Sequence, residues 1–337
     1  MRIRPVLLFL LLGAAPWLDA AKTLDIYFVD VEGGQATLVV SPSKQSILVD
    51  SGWPGLNMRD ADRIAAAAKA AGVKQIDYLV TTHFHSDHVG GVPQLAHRLP
   101  IRTFVDHGES IEHDAEGGRL YKAYVKARET GKHMQVKPGD KIPVKDLDVT
   151  VLTAGGESIA TALPGAGQPN AACASTKLQA ADPSENAQSV GILIQYGSFR
   201  MIDLGDLTWN KEYELVCPNN KVGKVDLYLT THHGMNVSNP PAIVRALEPR
   251  VAVMNNGARK GGSPEAWQII HDSEGKPDIW QVHYAVEAGK EHNSPEAMIA
   301  NTDEKGDEAK WLKVSADSNG AITVYNSRNK FQKSYTK

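Results

Sequence analysis

The hexapeptide His-Phe-His-Ser-Asp-His at residues 83–88 constrains the fold and chemistry of this chain more than any other feature. An apolar run at residues 78–80 precedes it and predicts a buried strand, and Val89-Gly90-Gly91 follows it and predicts a tight turn into a helix. Imidazole nitrogen and carboxylate oxygen are the ligands that Zn²⁺ and similar divalent ions prefer. The segment therefore predicts a metal site at a strand end rather than a histidine-rich surface loop.

The spacing within the hexapeptide bears on the number of ions. In a loop that follows a strand, the alternate residues His83 and His85 can point to one side, while Asp87 and His88 close from another. This arrangement favours two adjacent metal ions over one.

The N-terminal residues predict an export signal. Arg2 and Arg4 precede an apolar stretch at residues 6–12, and small residues end at Ala20 and Ala21. About ten apolar residues are too few to span a bilayer stably, so we expect residues 1–20 to be a cleaved signal peptide. Because no later segment is apolar enough to cross a membrane, we expect a secreted or periplasmic protein without an integral membrane segment.

Charge and cysteine content limit the function further. The formal net charge of −3 provides no general electrostatic attraction to nucleic acid or to an anionic membrane. Cys173 and Cys217 are the only two cysteines, and export would permit a disulfide between them. Two unpaired buried thiols remain an alternative, and neither cysteine has metal-ligand spacing.

The chain repeats one pattern. Residues 76–83 resemble residues 225–232, because in each segment an apolar strand ends in Thr-Thr-His. The strand before each also matches, at residues 47–52 and 200–205. The same order of two successive strands predicts two related halves.

Apolar periodicity and turn residues predict the remaining elements. Strands are predicted at residues 24–31, 37–40, 46–49, 102–105, 148–152, 190–196, 199–202 and 251–254, with a terminal hairpin at 311–314 and 322–325. Helices are predicted at residues 60–71, 92–98, 120–129, 240–247 and 264–271. Residues 155–185 are rich in Gly, Ala, Pro and Ser and predict a long surface insertion. We therefore expect residues 21–337 to form one α/β domain, a sandwich with a metal cleft at the edge where strand ends meet.

The hexapeptide and this layout resemble the metallo-β-lactamase superfamily, over essentially the whole mature chain. The signature His-x-His-x-Asp-His matches His83, His85, Asp87 and His88, and the resemblance implies the αββα fold. Residues 48–52 resemble the early buried Asp motif of the family. Residues 30–35 and 231–234 resemble the branch that includes the extracellular domain of competence DNA-uptake channels.

The resemblance also implies the later ligands. Gly205-Asp206 matches the carboxylate that bridges two metals, whereas Asp203 is in register with the buried Asp50 and suits a structural role. The repeat aligns His232 with His83, so we predict His232 as the ligand and His233 as a residue that supports the ligands or contacts the substrate.

One position departs from the family pattern. A third histidine for the first metal usually precedes a Ser-x-Gly strand start, but residues 184–191 contain no histidine and place Asn186 there. Relatives of the uptake-channel branch also tend to have Asn. The first ion is then left with His83, His85 and Asp206, so it binds more weakly or is completed by Asn186 through oxygen or water. The second ion has Asp87, His88, Asp206 and His232.

Three further residues are candidates for the second shell or for substrate contact. His107 follows a strand, His283 lies in a late region often near the cleft in this fold, and Lys260 lies in a glycine-rich loop that could cradle a phosphate or carboxylate. An exposed loop histidine and a plain solvated turn remain the alternatives.

The predicted chemistry is hydrolysis by a metal-activated water that Asp87 orients. Two divalent ions are expected, Zn²⁺ first, with Mn and Fe open. The resemblance favours a phosphodiester, either a small molecule or a nucleotide-like substrate. A lactam or lactone hydrolase is the alternative, and a metal-binding protein without turnover is the second alternative.

Overall fold

Two β-sheets pack face to face, and helices cover the outer face of each. A computed structural model describes residues 22–304 and 309–337. The signal peptide expected at residues 1–20 lies outside these ranges.

In chain order, the strands are β1 (Leu24–Phe28), β2 (Thr37–Val40), β3 (Ser46–Val49), β4 (Ile76–Val80), β5 (Ile101–Asp106), β6 (Lys132–Gln135), β7 (Lys141–Ile142), β8 (Asp148–Ala154), β9 (Glu157–Ser158), β10 (Gly191–Tyr196), β11 (Phe199–Asp203), β12 (Leu227–Leu229), β13 (Val251–Met254), β14 (Asp278–His283), β15 (Ile299–Asn301), β16 (Leu312–Ala316), β17 (Ile322–Asn326) and β18 (Gln332–Tyr335). The α-helices are α1 (Arg59–Ala70), α2 (Ser86–Val89), α3 (Val92–Ala96), α4 (Ala115–Arg128), α5 (Trp209–Val216), α6 (Pro241–Leu247) and α7 (Pro264–His271).

The two sheets have related topologies. The first has the order β18-β17-β16-β1-β2-β3-β4-β5-β6, and the second has the order β15-β14-β13-β12-β11-β10-β8-β7, with β9 paired to β8. Strands β3 to β6 are parallel, as are β11 to β15. Since parallel strands end at the same edge, the loops after β3, β4, β11 and β12 can meet there.

Alternating side chains of each strand build the core. In β1, Ile26 and Phe28 face the opposite sheet, and Tyr27 faces the helices of its own half. Helices α1, α3 and α4 cover the first sheet, and α5, α6 and α7 cover the second. The αββα sandwich with two related halves is confirmed.

Several elements differ from the sequence prediction. Helix α4 begins at Ala115 rather than at residue 120, because the Asp114 side chain accepts a hydrogen bond from the Gly117 N–H and caps the helix there. Strand β1 ends at Phe28 rather than at residue 31. Helix α5 and strand β6 were not predicted, since both are short and carry many polar residues.

The segment at residues 155–185 is tied to the second half. Cys173 and Cys217 form a disulfide, so the alternative of two unpaired thiols was wrong. The Asn170 side chain also donates to the carbonyl oxygens of Val216 and Ala242, on α5 and α6. Among the helices in the described part of the chain, none is long and apolar enough to cross a membrane.

Candidate metal centre

The ends of β4, β11 and β12 bring a group of ionisable side chains together in the protein interior. Strand β4 leads into the loop at residues 83–88, β11 leads to Asp206, and β12 leads into the turn Thr231–Gly234. Of these side chains, His88 and His233 are fully buried, and Asp206 is 2% exposed. Buried ionisable groups need partners, so this concentration indicates a binding site.

Four atoms of this site form a compact group, made of Asp87 Oδ2, His88 Nε2, Asp206 Oδ2 and His233 Nε2. His88 Nε2 lies 3.2 Å from Asp87 Oδ2 and 3.1 Å from Asp206 Oδ2. His233 Nε2 lies 3.2 Å from Asp87 Oδ2, 3.3 Å from Asp206 Oδ2 and 3.2 Å from His88 Nε2.

These separations can be compared with a tetrahedral metal site. Ligands about 2.0 Å from a zinc ion at the corners of a tetrahedron lie about 3.3 Å apart. The five separations between 3.1 and 3.3 Å fit that spacing, and the donor set of two imidazoles and two carboxylates fits Zn²⁺ chemistry. The residues therefore fit a divalent ion.

Buried hydrogen-bond acceptors determine which ring nitrogen of each loop histidine carries the donated proton. His88 Nδ1 donates to Asp50 Oδ2 at 2.7 Å, which turns Nε2 toward the compact group. Thr82 Oγ1 donates to the same Asp50 oxygen and accepts from His83 Nδ1 at 3.0 Å. The buried Nε2 of His83 then has no hydrogen-bond partner and is free to act as a ligand.

His85 is supported by a residue that sequence reasoning missed. Its Nε2 lies 3.2 Å from Glu112 Oε1, and the side chain is 30% exposed. With Nε2 donating to Glu112, Nδ1 carries the lone pair. Glu112 lies 27 residues downstream in an acidic loop, and only the fold brings it to this ring.

Asn186 lies in a segment that is hydrogen-bonded to the residues on either side of His83. The segment that carries it is bonded to the end of β4 at both ends, because Phe84 N donates to Glu185 Oε2 and Val190 N donates to Thr82 O. Asn186 Oδ1 and Asp206 Oδ1 are both buried without a hydrogen-bond partner, as is His83 Nε2. Unpaired buried polar atoms are costly unless they bind something, so these three atoms are candidate ligands, although of the three residues only Asp206 belongs to the compact group.

Both histidines after β12 contact Asp206. His232 Nε2 lies 3.3 Å from Asp206 Oδ2, and His232 Nδ1 lies 3.3 Å from Ser238 Oγ. His233 Nε2 belongs to the compact group, which His232 does not join. The repeat predicted His232 as the ligand, and the geometry adds His233 as a candidate for the same ion.

Burial and mutual attraction set the protonation of the site. Burial alone would raise the pKa of Asp206, but the imidazoles of His233, His88 and His232 outweigh it and hold the pKa well below its usual range. Burial and the neighbouring His88 lower the pKa of His83 well below normal. Burial alone would lower the pKa of His88, but the carboxylates of Asp206, Asp87 and Asp50 outweigh it and hold that pKa well above normal. Because metal ions bind ionised carboxylate and neutral imidazole, an ion bound at His88 would displace a proton.

Lys260 lies next to this centre, whereas two other predicted residues do not. The Lys260 ammonium contacts Asp87 Oδ2 and lies 4.9 Å from the centroid of the Trp53 ring. His107 Nε2 bonds Glu185 Oε2 at 3.1 Å and so supports the loop that carries Asn186.

His283 belongs to a separate ion group. Its Nε2 lies 2.6 Å from Asp30 Oδ1, and Asp30 Oδ2 lies 3.0 Å from Arg63. This group joins β14 of the second half to the end of β1 and to α1.

Comparison with known proteins gives three kinds of similarity. The family model described as the metallo-beta-lactamase superfamily matches residues 29–173. ComE operon protein 3 of Bacillus subtilis (strain 168) is 26% identical over 265 residues, which is 73% of this chain and 30% of that protein. The chain thus spans less than a third of the length of that relative.

Two solved structures resemble this chain in fold, both at low sequence identity. The metallo-beta-lactamase fold protein YhfI from Bacillus subtilis has a TM-score of 0.46 and 13% identity, over 77% of this chain and 96% of that one. CmlA, a diiron beta-hydroxylase from Streptomyces venezuelae, has a TM-score of 0.40 and 17% identity, over 74% of this chain and 46% of that one.

Proposed function

Because this chain belongs to the metallo-β-lactamase superfamily, we propose that it is an exported, metal-dependent hydrolase of a phosphodiester. The expected substrate is a small molecule or nucleotide-like compound, and residues 21–337 act as one domain. The observation that carries the proposal is the close grouping of Asp87, His88, Asp206 and His233, whose ligand atoms all lie within 4.8 Å of one another, with five of the separations at 3.1 to 3.3 Å.

We assign the side chains to two divalent ions that bind with unequal affinity. Zn²⁺ is expected, and Mn or Fe remain alternatives. The tighter ion would be held by Asp87, His88 and Asp206 together with His232 or His233, of which His233 has the better geometry. The weaker ion would be held by His83, His85, Asp206 Oδ1 and Asn186 Oδ1.

Bound divalent ions would supply Lewis acidity that lowers the pKa of water toward neutrality. Asp87 would accept a hydrogen bond from the attacking water and orient it toward the substrate. Lys260, packed over Trp53 beside Asp87, is placed to pair with a negative oxygen of the substrate.

The surroundings of the centre favour a compact substrate over long nucleic acid. A cavity of about 210 Å³ opens beside His85 and Asp87, and Glu112, Asp114 and Glu116 line it. These carboxylates would repel a polyanion that runs past the site. The resemblance to the uptake-channel branch supports phosphodiester chemistry, and the net charge of −3 agrees with a small substrate.

Two features support export. Residues 1–20 have the composition of a signal peptide, and the Cys173–Cys217 disulfide suits an oxidising compartment.

Turnover of three model substrates tests the proposal. The zinc- or manganese-loaded protein is expected to hydrolyse bis-p-nitrophenyl phosphate faster than nitrocefin or a lactone. His88→Ala should abolish turnover, and His97→Ala, at an exposed histidine on the surface, should leave it unchanged. Faster lactam or lactone turnover would favour the amide or ester alternative, and metal binding without any turnover would favour the non-catalytic one.

A further inference from the structure

The turn Thr231–Gly234, which we call the twin-histidine turn, has an unusual backbone. His232 has φ 55° and ψ 46°, and His233 has φ 56° and ψ 19°. Two consecutive residues with a Cβ in the left-handed region are unfavourable, and such a conformation persists only when its surroundings impose it. Both imidazoles reach Asp206 from this turn, so whatever holds the turn also places candidate ligands.

The side-chain amide of Asn239 spans the turn. Its Oδ1 accepts from Thr231 N at 3.1 Å, just before the two histidines. Its Nδ2 donates to Thr231 O at 2.9 Å and to Met235 O at 3.0 Å, just after the turn. One planar group therefore fixes both ends of the twin-histidine turn.

Ser238, the residue before Asn239, determines which nitrogen of the His232 ring carries the proton. Ser238 Oγ donates to Leu207 O at 2.7 Å, so it can only accept from His232 Nδ1 at 3.3 Å. The proton then lies on Nδ1 of His232, and Nε2 faces Asp206 with a lone pair. The position of the 238–239 segment thus sets the tautomer of this imidazole.

Glu212 of α5 fixes the position of Asn239 itself. Glu212 Oε2 accepts from Asn239 N at 2.6 Å, and Asn239 has a left-handed φ of 63°. Glu212 is fully buried, and burial raises the pKa of its carboxyl to about 8. Tyr228 adds a hydrogen bond from its hydroxyl to Asn239 Oδ1 at 2.7 Å.

We propose that Glu212 and Asn239 are positioning residues that hold the twin-histidine turn in its left-handed conformation and thereby set the metal affinity of the centre. The inference rests on the proposed function, since it assigns a role at the same metal site. Neither residue touches the proposed ligand atoms, so their effect passes through the backbone of the turn and through Ser238.

A matched pair of asparagine variants tests the proposal. Asn220 is also buried in the second half, and its amide makes three hydrogen bonds, to Ala246 O, Val222 N and Gly223 N, away from the turn. Asn239→Ala and Asn220→Ala therefore remove comparable buried amides. Removing a partner that orients metal ligands typically costs tenfold to hundredfold in metal affinity. We expect zinc affinity, measured by competition with a chelator, to fall at least tenfold in Asn239→Ala and less than threefold in Asn220→Ala.

A second pair separates positioning from general stability. Glu212→Gln keeps an uncharged acceptor for Asn239 N, whereas Glu212→Ala leaves that N–H unpaired. We expect Glu212→Gln to retain zinc affinity within threefold of wild type and Glu212→Ala to lose at least tenfold. This pair decides the question if Asn239→Ala does not fold.

Specific results would overturn the proposal. Zinc affinity within threefold of wild type in Asn239→Ala and Glu212→Ala, despite lowered melting temperatures, would make the network merely structural. A wild-type protein that binds no metal would instead contradict the proposed function. In that case ¹⁵N NMR of the imidazoles still tests the positioning role, because His232 should carry its proton on Nδ1 in wild type and lose this preference in Asn239→Ala. An unchanged tautomer in that variant would overturn the inference.

Discussion

At the scale of single residues, the histidines of the candidate metal centre each donate one ring N–H to a different acceptor. His88 donates to Asp50 and His232 to Ser238, each through the nitrogen that faces away from Asp206, and His85 donates to Glu112. These acceptors fix which ring nitrogen donates, so the other nitrogen of His88 and of His232 faces Asp206 before any ion binds. Preorganisation of this kind raises metal affinity, since less conformational entropy is lost on binding.

Asn186 provides the sharpest prediction at this scale. Replacing its amide oxygen with an imidazole in Asn186→His should tighten the weaker ion at least tenfold for Zn²⁺, because Zn²⁺ prefers imidazole nitrogen to a neutral amide oxygen. Zinc titration followed by isothermal calorimetry measures the change.

Gln188→His provides the control for that titration, since it adds a histidine two residues away on the same short helical turn, Glu185–Gln188. Equal effects of the two variants, or no effect of Asn186→His, would mean that residue 186 does not face the ion.

The sequence indicated that the side chains of residues 83–88 lie together at a strand end, but it did not indicate which residues hydrogen-bond to them. Residues 83–88 lie in one loop, so a strand prediction before them was enough to place His83 and His88 at a buried strand end. Glu112 and Ser238 contact the histidines through tertiary folding, and no spacing in the chain indicates them. The repeat pointed to His232, but a sequence repeat cannot reveal two successive left-handed residues, and it is the His233 ring that this turn brings into the compact group.

At the scale of elements, α5 contacts the segment after the twin-histidine turn as well as covering the second sheet. Its buried face contributes Leu215 and Val216 to the core, and Glu212 on the same face reaches the segment after the twin-histidine turn. The sequence did not predict this helix, because eight residues with mixed polarity give a weak periodic signal. A buried glutamate within it could not be anticipated without the helix.

The raised pKa of Glu212 predicts a pH dependence of stability. Burial raises the pKa from 4.5 to about 8, so the unfolded chain ionises first and stability falls as pH rises between these values. The loss is at most on the order of 5 kcal/mol, since each pKa unit corresponds to about 1.4 kcal/mol. Glu212→Gln should remove it. Urea unfolding at pH 5 and pH 9 with a chelator present measures the difference.

Glu214→Gln on the same helix is the control for this measurement, because Glu214 is 51% exposed and paired with Lys211. The control should keep the wild-type pH dependence. A Glu212→Gln variant that loses as much stability as wild type between the two pH values would show that Glu212 does not titrate in this range.

At the scale of the molecule, the site depends on the two halves staying in register. Each half supplies part of the compact group, with Asp87 and His88 from the first and Asp206 and His233 from the second. Buried polar contacts between the halves hold this register, since Gln35 Nε2 donates to both oxygens of Asp203 at 3.0 and 2.9 Å. The repeat in the sequence predicted two related halves. It did not predict the contacts between them, because Gln35 and Asp203 do not occupy matching positions of the repeat and only the fold brings them together.

The disulfide gives a prediction for the second half. It joins cysteines 44 residues apart, and closing a loop of that length stabilises the fold by about 4 kcal/mol on the chain-entropy model. Reductant should therefore lower the melting temperature of the wild type, as should the Cys173→Ser/Cys217→Ser double variant. Reductant should not affect the double variant further. A melting temperature that is indifferent to reductant would argue that the bond does not form in the folded protein.

Anomalous diffraction at the zinc edge from crystals grown with excess Zn²⁺ tests the central claim most directly. We expect one strong peak about 2 Å from Asp87, His88, Asp206 and a twin histidine, and a second, weaker peak between His83, His85 and Asp206. The peak positions would also show whether His232 or His233 is the ligand. No peak at the ends of β4, β11 and β12, with the same side chains hydrogen-bonded to one another, would contradict the account.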